Sequence, residues 1–125
     1  KRIKGPIVLE LFAPAGEVFF REVSEAIPNF NIQMSPESHD EEIRHAFGKG
    51  WRNVDIENTI KAALDNNCQR FDLFYMIGLP RQDYGSVMDT VDYMRRLFEE
   101  FGKKKCVTSP YLTVEPVYRP GKPDF

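Results

Sequence analysis

Cysteine is scarce in this chain. There are two, Cys68 and Cys106, in 125 residues. Neither stands at metal-ligand spacing, and the pair reads as reduced thiols of a cytosolic protein rather than as a disulfide. Long apolar runs are missing as well. None reaches the ~18–20 residues of a membrane span, and no stretch has the pattern of a signal peptide. Positive charge is not in excess: 17 Lys and Arg stand against 19 Asp and Glu, for a net charge of −2. A surface for nucleic acid or anionic lipid needs clustered basic residues. The one basic run, Lys103-Lys104-Lys105, follows an expected helix end, where it complements the helix dipole. Histidine is limited to His39 and His45. With Glu42 these stand at i, i+3 and i+6, so the two rings point about 120° apart at ~3.6 residues per turn. The expectation is a cytoplasmic domain with no membrane partner, no nucleic-acid partner and no metal ligands.

What is present is material for a core, with 42% hydrophobic and 13% aromatic residues. Ile7 to Leu11 reads as a short strand, and Pro14 and Gly16 mark the turn after it. From Glu17, apolar residues recur at Phe19, Phe20, Val23 and Ile27. That spacing predicts a helix stopped by Pro28-Asn29. Phe30 to Met34 alternates as a second strand. Ser38-His39-Asp40-Glu41 matches the S-x-x-E capping box, which predicts a short helix burying Ile43, Ala46 and Phe47 and ending at Gly48-Lys49-Gly50. A further helix from about Asp55 carries Ile56, Ile60, Ala63 and Leu64 on one face and ends at Asn66-Asn67. Phe71 to Ile77 is near-continuously apolar, as a strand covered on both faces should be. Gly78-Leu79-Pro80 ends it. Asp83 or Ser86 caps the next helix, whose expected face is Val87, Val91, Met94, Phe98 and Phe101, with Gly102 at its stop. Val107 begins a last strand that Pro110 confines to an edge or an end. The order β-α-β-α-α-β-α-β predicts an α/β fold with about four parallel strands and right-handed crossovers.

The second strand poses a problem. Phe30, Ile32 and Met34 share one face; Asn31, Gln33, Ser35 and, further on, Glu37 share the other. Under a helix, each unpaired polar group would cost on the order of 1–3 kcal/mol. A curved sheet removes the conflict: its outer face packs helices, and its inner face lines a hollow for a polar ligand. Glu10 and Asp72 fit the same arrangement. A satisfied polar network or strands at a sheet edge remain as alternatives. Ligands in parallel α/β folds bind at the C-terminal ends of strands, where Glu37, Ser38 and Gly78-Leu79-Pro80 stand. Ser38 is also a helix cap, Glu37 suits an amine or hydroxyls, and Gly78 is either a turn glycine or a close approach to a flat ligand. The chain opens on Lys1, enters a strand-like run within a few residues and closes on Pro120-Gly121-Lys122-Pro123-Asp124-Phe125. The expectation is a piece, 1–125, of a longer polypeptide.

The segments QMSPESHDEEIRHAFGKG and FDLFYMIGLPRQDYGSVMDTVDYMRRL together resemble the second half of the catalytic barrel of radical S-adenosylmethionine (SAM) enzymes. The likeness is closest to members that carry an N-terminal cobalamin-binding domain. It rests on an E-S pair at a strand end (Glu37, Ser38), a following helix with Ile43 and Lys49, and G-L-P (Gly78, Leu79, Pro80) ending the next strand roughly 40 residues on. TSPYLTVEPVYRPGK resembles the strand and loop that follow, so the likeness runs from about Val8 to Gly121. The resemblance implies a partial (β/α) barrel, a TIM-like half that supplies the third to sixth strands. It implies SAM and a [4Fe-4S] cluster as cofactors of the parent chain, with the participation of cobalamin open. It further implies reductive cleavage to a 5′-deoxyadenosyl radical, the chemistry of an oxidoreductase or transferase acting on a small-molecule substrate. Glu37 and Ser38 would contact the SAM ribose or methionine part, and Gly78, Leu79 and Pro80 the adenine side, with Ser35 and Glu10 as further cofactor-binding candidates. The CxxxCxxC motif of the family is absent, so the piece should be catalytically inert. The family's glycine after G-L-P is Arg81, which lacks glycine's access to positive φ and predicts a different turn. Such a half barrel would pair with the remainder of the parent chain, or self-associate through its open edges. Two rival readings stand beside it: a self-contained α/β domain that binds a nucleotide or protein without catalysis, and another TIM-like barrel such as an aldolase or a methyltransferase partner. The latter would carry strand-end lysines or metal ligands, and no strand run contains a lysine.

Overall fold

The computed structural model describes residues 5–102. The strand expected from Val107, the lysine run at 103–105, Cys106 and the stretch 108–122 lie outside the described residues. The chain is α/β. In order it forms β1 (Ile7–Leu11), α1 (Glu17–Ala26), β2 (Phe30–Glu37), α2 (Glu41–Ala46), α3 (Asn53–Asp65), β3 (Cys68–Tyr75) and α4 (Tyr84–Phe101). The strands form one parallel sheet in the order β1-β2-β3.

Sequential order decides where the helices go. Right-handed crossovers that always step in one direction put the crossover helices α1 and α3 on the same face, and α4 joins them. Phe30, Ile32 and Met34 of β2, with Cys68, Phe71 and Leu73 of β3, enter one core with Phe20 of α1, Ile56, Ile60 and Ala63 of α3, and Leu97 and Phe101 of α4. Leu9 and Leu11 of β1 and Val23 of α1 pack against it. None of the described helices covers the opposite face.

Local chemistry explains the boundaries. β2 runs past the expected Met34 through Pro36 to Glu37. Pro36 has no N–H for the ladder, and the β2–β3 register shifts between Met34 and Glu37, where it sits. β3 starts at Cys68, earlier than the expected Phe71, just after Asn67 turns the chain at φ 66°. It closes at Tyr75, short of the expected Ile77.

Two expected helix faces are corrected. In α2 the buried side chains are Ile43 and Arg44. Phe47 is 44% exposed, and Ala46 is exposed as well. The helix ends after six residues, so its last turn swings Phe47 off the core. In α4 the buried row is Thr90, Tyr93, Met94, Leu97 and Phe101, whereas Phe98 is 45% exposed and Val87 and Val91 are half-buried. The stripe is thus rotated by about one residue. The aromatic Tyr93, absent from the expected face, takes the inward position. Its ring packs edge-on against Tyr75, with centroids 6.4 Å apart.

Candidate functional site

The helix-free face carries the polar residues anticipated for a hollow. Partners in the ladder share a face, so Glu10, Gln33 and Asp72 form one row across all three strands, in register. The row before it is Val8, Asn31 and Arg70. Glu10 is exposed; Asn31, Gln33, Ser35 and Glu37 are half-buried. Asp72 is only 1% exposed. Its Oδ2 accepts from Arg70 Nε at 3.0 Å and forms an ion pair with Arg70 Nη2 at 3.0 Å. Its Oδ1 has no hydrogen-bond partner among the described residues.

Glu37 ends β2 with φ 67°, a left-handed conformation uncommon for a residue with a side chain. Its carbonyl accepts the Met76 N–H at 2.8 Å, so the end of β2 is stitched to the start of the loop after β3. Its carboxylate pairs with Lys49, which also donates to the Ser35 carbonyl at 2.6 Å and stands 5.8 Å from the centre of the Trp51 ring. Glu37 and Lys49, both drawn from the sequence motif, are therefore joined directly.

Ser38 plays a different part from the one expected. It is fully buried, and its hydroxyl accepts the Asp40 N–H at 3.1 Å. The cap of α2 is Asp40, whose Oδ1 accepts from the Glu42 and Ile43 N–H groups; the expected Ser38–Glu41 box does not form. Glu41 instead reaches the Asn53 N–H at the start of α3. Ser38 also supplies its carbonyl to Arg44, which donates to it from Nε at 3.1 Å and from Nη2 at 2.7 Å. Arg44 is fully buried and further donates to the Trp51 carbonyl and to Asn53 Oδ1. Burial lowers its pKa, partly offset by Tyr75 and Tyr93 and by the nearby carboxylates of Glu41 and Asp40. A fully buried arginine bound to carbonyls has no periodic signal, and nothing in the sequence marks it.

At the end of β3, Gly78 has φ 88° and Arg81 φ 71°. The turn that arginine was expected to alter is built with arginine in a left-handed conformation. Gln82 holds it there: its Oε1 accepts the Leu79 N–H at 3.0 Å and its Nε2 donates to the Met76 carbonyl at 3.1 Å. Leu79 is buried, whereas Gly78 and Pro80 are exposed, with open space beside the Gly78 Cα. Ser35, Glu37 and Gly78 therefore gather at the C-terminal rim of the sheet. Glu10 lies on the shared face farther from that rim, and Ser38 lies beneath it. An open groove of about 570 Å³ also lies at this rim, lined by Glu41, Glu42, His45, Trp51, Arg52 and Arg81 among others.

Behind the rim is a cluster that motif reasoning passed over. His39 Nδ1 lies 2.8 Å from Thr90 Oγ1. Burial lowers the His39 pKa, opposed by Asp89 and Asp40 and reinforced by Arg44. Burial also pushes the Tyr93 and Tyr75 hydroxyls well above the usual phenol range. Tyr93 donates to Glu57 at 3.1 Å, while the buried Tyr75 hydroxyl has no partner among the described residues. No group of three or more His, Cys, Asp or Glu side chains among the described residues is placed to hold a metal ion. No described helix is long and apolar enough to cross a membrane. Scanned against protein-family models, curated proteins and solved structures, the chain matches none.

Proposed function

We propose that this chain is part of a (β/α) barrel of the radical SAM type, and that the helix-free face of its sheet is the wall of the ligand hollow. The observation that carries the reading is the row Glu10–Gln33–Asp72, in register across three strands on the one face that no described helix packs. A two-sided α/β sheet would bury such a row against a helix; a singly wound sheet turns it inward as it curves.

The rim fits the SAM end of that hollow. Glu37, half-buried and held by Lys49, offers a carboxylate to ribose hydroxyls or to an amine. Ser35 lies on the same face two residues earlier. Gly78 and Pro80 leave open space at the neighbouring strand end, which suits a flat base. Ser38 serves this site indirectly, through Arg44, which ties the end of β2 to the loop at Trp51. Glu10 and Asp72 face the region where a substrate would lie. SAM supplies the radical precursor when a reduced iron–sulfur cluster binds it. The described residues do not fit that cluster: Cys68 is buried in the helix-side core, and no cluster of ligands accompanies it. In this reading the cluster ligands lie outside the described residues.

The test uses residues 1–125 alone. Equilibrium dialysis with labelled SAM should give weak binding, with a dissociation constant of about 1 mM, and Glu37→Gln should weaken it about tenfold. After treatment with iron, sulfide and a reductant, the piece should form neither a cluster absorbance nor 5′-deoxyadenosine. Turnover by the piece alone would refute the division of the site, and SAM binding indifferent to Glu37 would refute the pocket.

A further inference from the structure

Arg81 is an odd residue for its place. It follows Gly78-Leu79-Pro80 and holds φ 71°, where a side chain crowds its own carbonyl and a glycine would not. The loop does not relax it: Gln82 clamps Leu79 and Met76 from within. Strain of this kind is kept where the surrounding structure over-determines it, often at ligand sites. Here it places Arg81 among the residues lining the groove. Its guanidinium has no hydrogen bond or ion pair among the described residues.

The other lining groups differ in how committed they are. Arg52 is tied to Asp55, and Glu41 to the Asn53 N–H. The Glu42 carboxylate, borne on α2, has no ion pair among the described residues. Trp51 and Ala46 supply apolar surface, and the His45 ring stands over Gly50, where an added Cβ would lie 3.5 Å from Nδ1. The groove thus offers one uncommitted guanidinium, one uncommitted carboxylate and an apolar wall. A guanidinium takes a carboxylate through two parallel N–H···O bonds, and a carboxylate takes an ammonium. We propose that the groove binds a small zwitterion of the α-amino-acid kind, with its carboxylate on Arg81, its ammonium on Glu42 and its side chain against Trp51. The proposal does not depend on the SAM reading, since its two charged groups are Arg81 and Glu42 and the helix-free face takes no part in it.

Trp51 is the only tryptophan in the chain, so its fluorescence reports the groove without labelling. L-Leucine titrated into residues 1–125 should change that emission saturably, with a dissociation constant of about 1 mM. Acetate alone and butylamine alone should bind about tenfold more weakly, because each lacks one of the two charges. Arg81→Gln and Glu42→Gln should each weaken leucine about tenfold. Arg81→Gly should do the same while keeping or raising the melting temperature, because glycine relieves the backbone; a loss of binding through misfolding would instead lower it. Arg95→Gln, on the exposed side of α4 away from the groove, should leave leucine binding unchanged. The proposal is overturned by an unsaturable response, by wild-type affinity in Arg81→Gln, by acetate binding as tightly as leucine, or by equal weakening in Arg95→Gln. Leucine binding that survives the failure of SAM to bind would uphold this site and sink only the other.

Discussion

Glu37 and Lys49 show what a single contact does at the rim. The carboxylate sits half-buried on a strained backbone, and Lys49 is the cation that compensates it. Lys49→Met should leave that charge and the Ser35 carbonyl without a donor and lower the unfolding free energy by about 1–2 kcal/mol in urea titration. Tyr75 is the opposite case. Its hydroxyl is buried with no partner among the described residues, so it was desolvated for no hydrogen bond in return. Tyr75→Phe should be neutral or stabilising by up to about 1 kcal/mol; a loss of more than that would mean the hydroxyl is bonded after all. His39 sets a pH dependence. Its pKa is lowered in the folded state from 6.5, chiefly by burial, so the folded protein favours the neutral ring. Its contribution is fully present above pH 6.5 and is lost as the pH falls through the lower folded value. Denaturation from about pH 7.5 to about pH 5.5 should show a fall in stability that is smaller in His39→Gln. At this scale the sequence was readable where chemistry was local. Glu37 and Gly78 stood out at strand ends, but Arg44 did not, because its partners are carbonyls that only the fold brings together.

Elements were legible in kind and order, and less so in their edges and faces. Every described strand and helix lies where apolar spacing indicated. The start of α2 was read as a capping box on Ser38, whereas Asp40 carries the cap bonds. Asp40→Ala should therefore cost about 1 kcal/mol and fray α2, read by hydrogen exchange at Glu42 and Ile43. The face of α4 was misjudged for a different reason. A helix with Val87, Val91 and Phe98 on one side and Tyr93 and Leu97 beside them supports two overlapping stripes, and packing against Tyr75 and β3 selects the second. Leu97→Ala should cost about 2–5 kcal/mol of core and cavity energy, whereas Phe98→Ala should cost well under 1 kcal/mol. Equal losses would return α4 to the stripe read from spacing alone.

Among the described residues the fold is one-sided: α1, α3 and α4 pack one face of the parallel sheet, and a polar row lies on the other. The polar alternation of β2 made that asymmetry readable, and the register confirms that Glu10, Gln33 and Asp72 share it. The sequence could not reveal how the strand ends lock together through the Glu37 carbonyl and Met76, or that Arg81 adopts a left-handed backbone. Among the described residues, β1 and β3 are the edges of the sheet, and open parallel edges invite pairing. Residues 1–125 should self-associate in sedimentation velocity, and a clean monomer at all concentrations would contradict that. The central claim, that the helix-free face receives a small molecule, is tested most directly by mapping amide ¹H–¹⁵N shifts while SAM is added to about 10 mM, roughly ten times the affinity expected. The account predicts the largest shifts at Gln33, Ser35, Glu37 and Gly78. Shifts confined to α1, α3 and α4, or none at all, would contradict it.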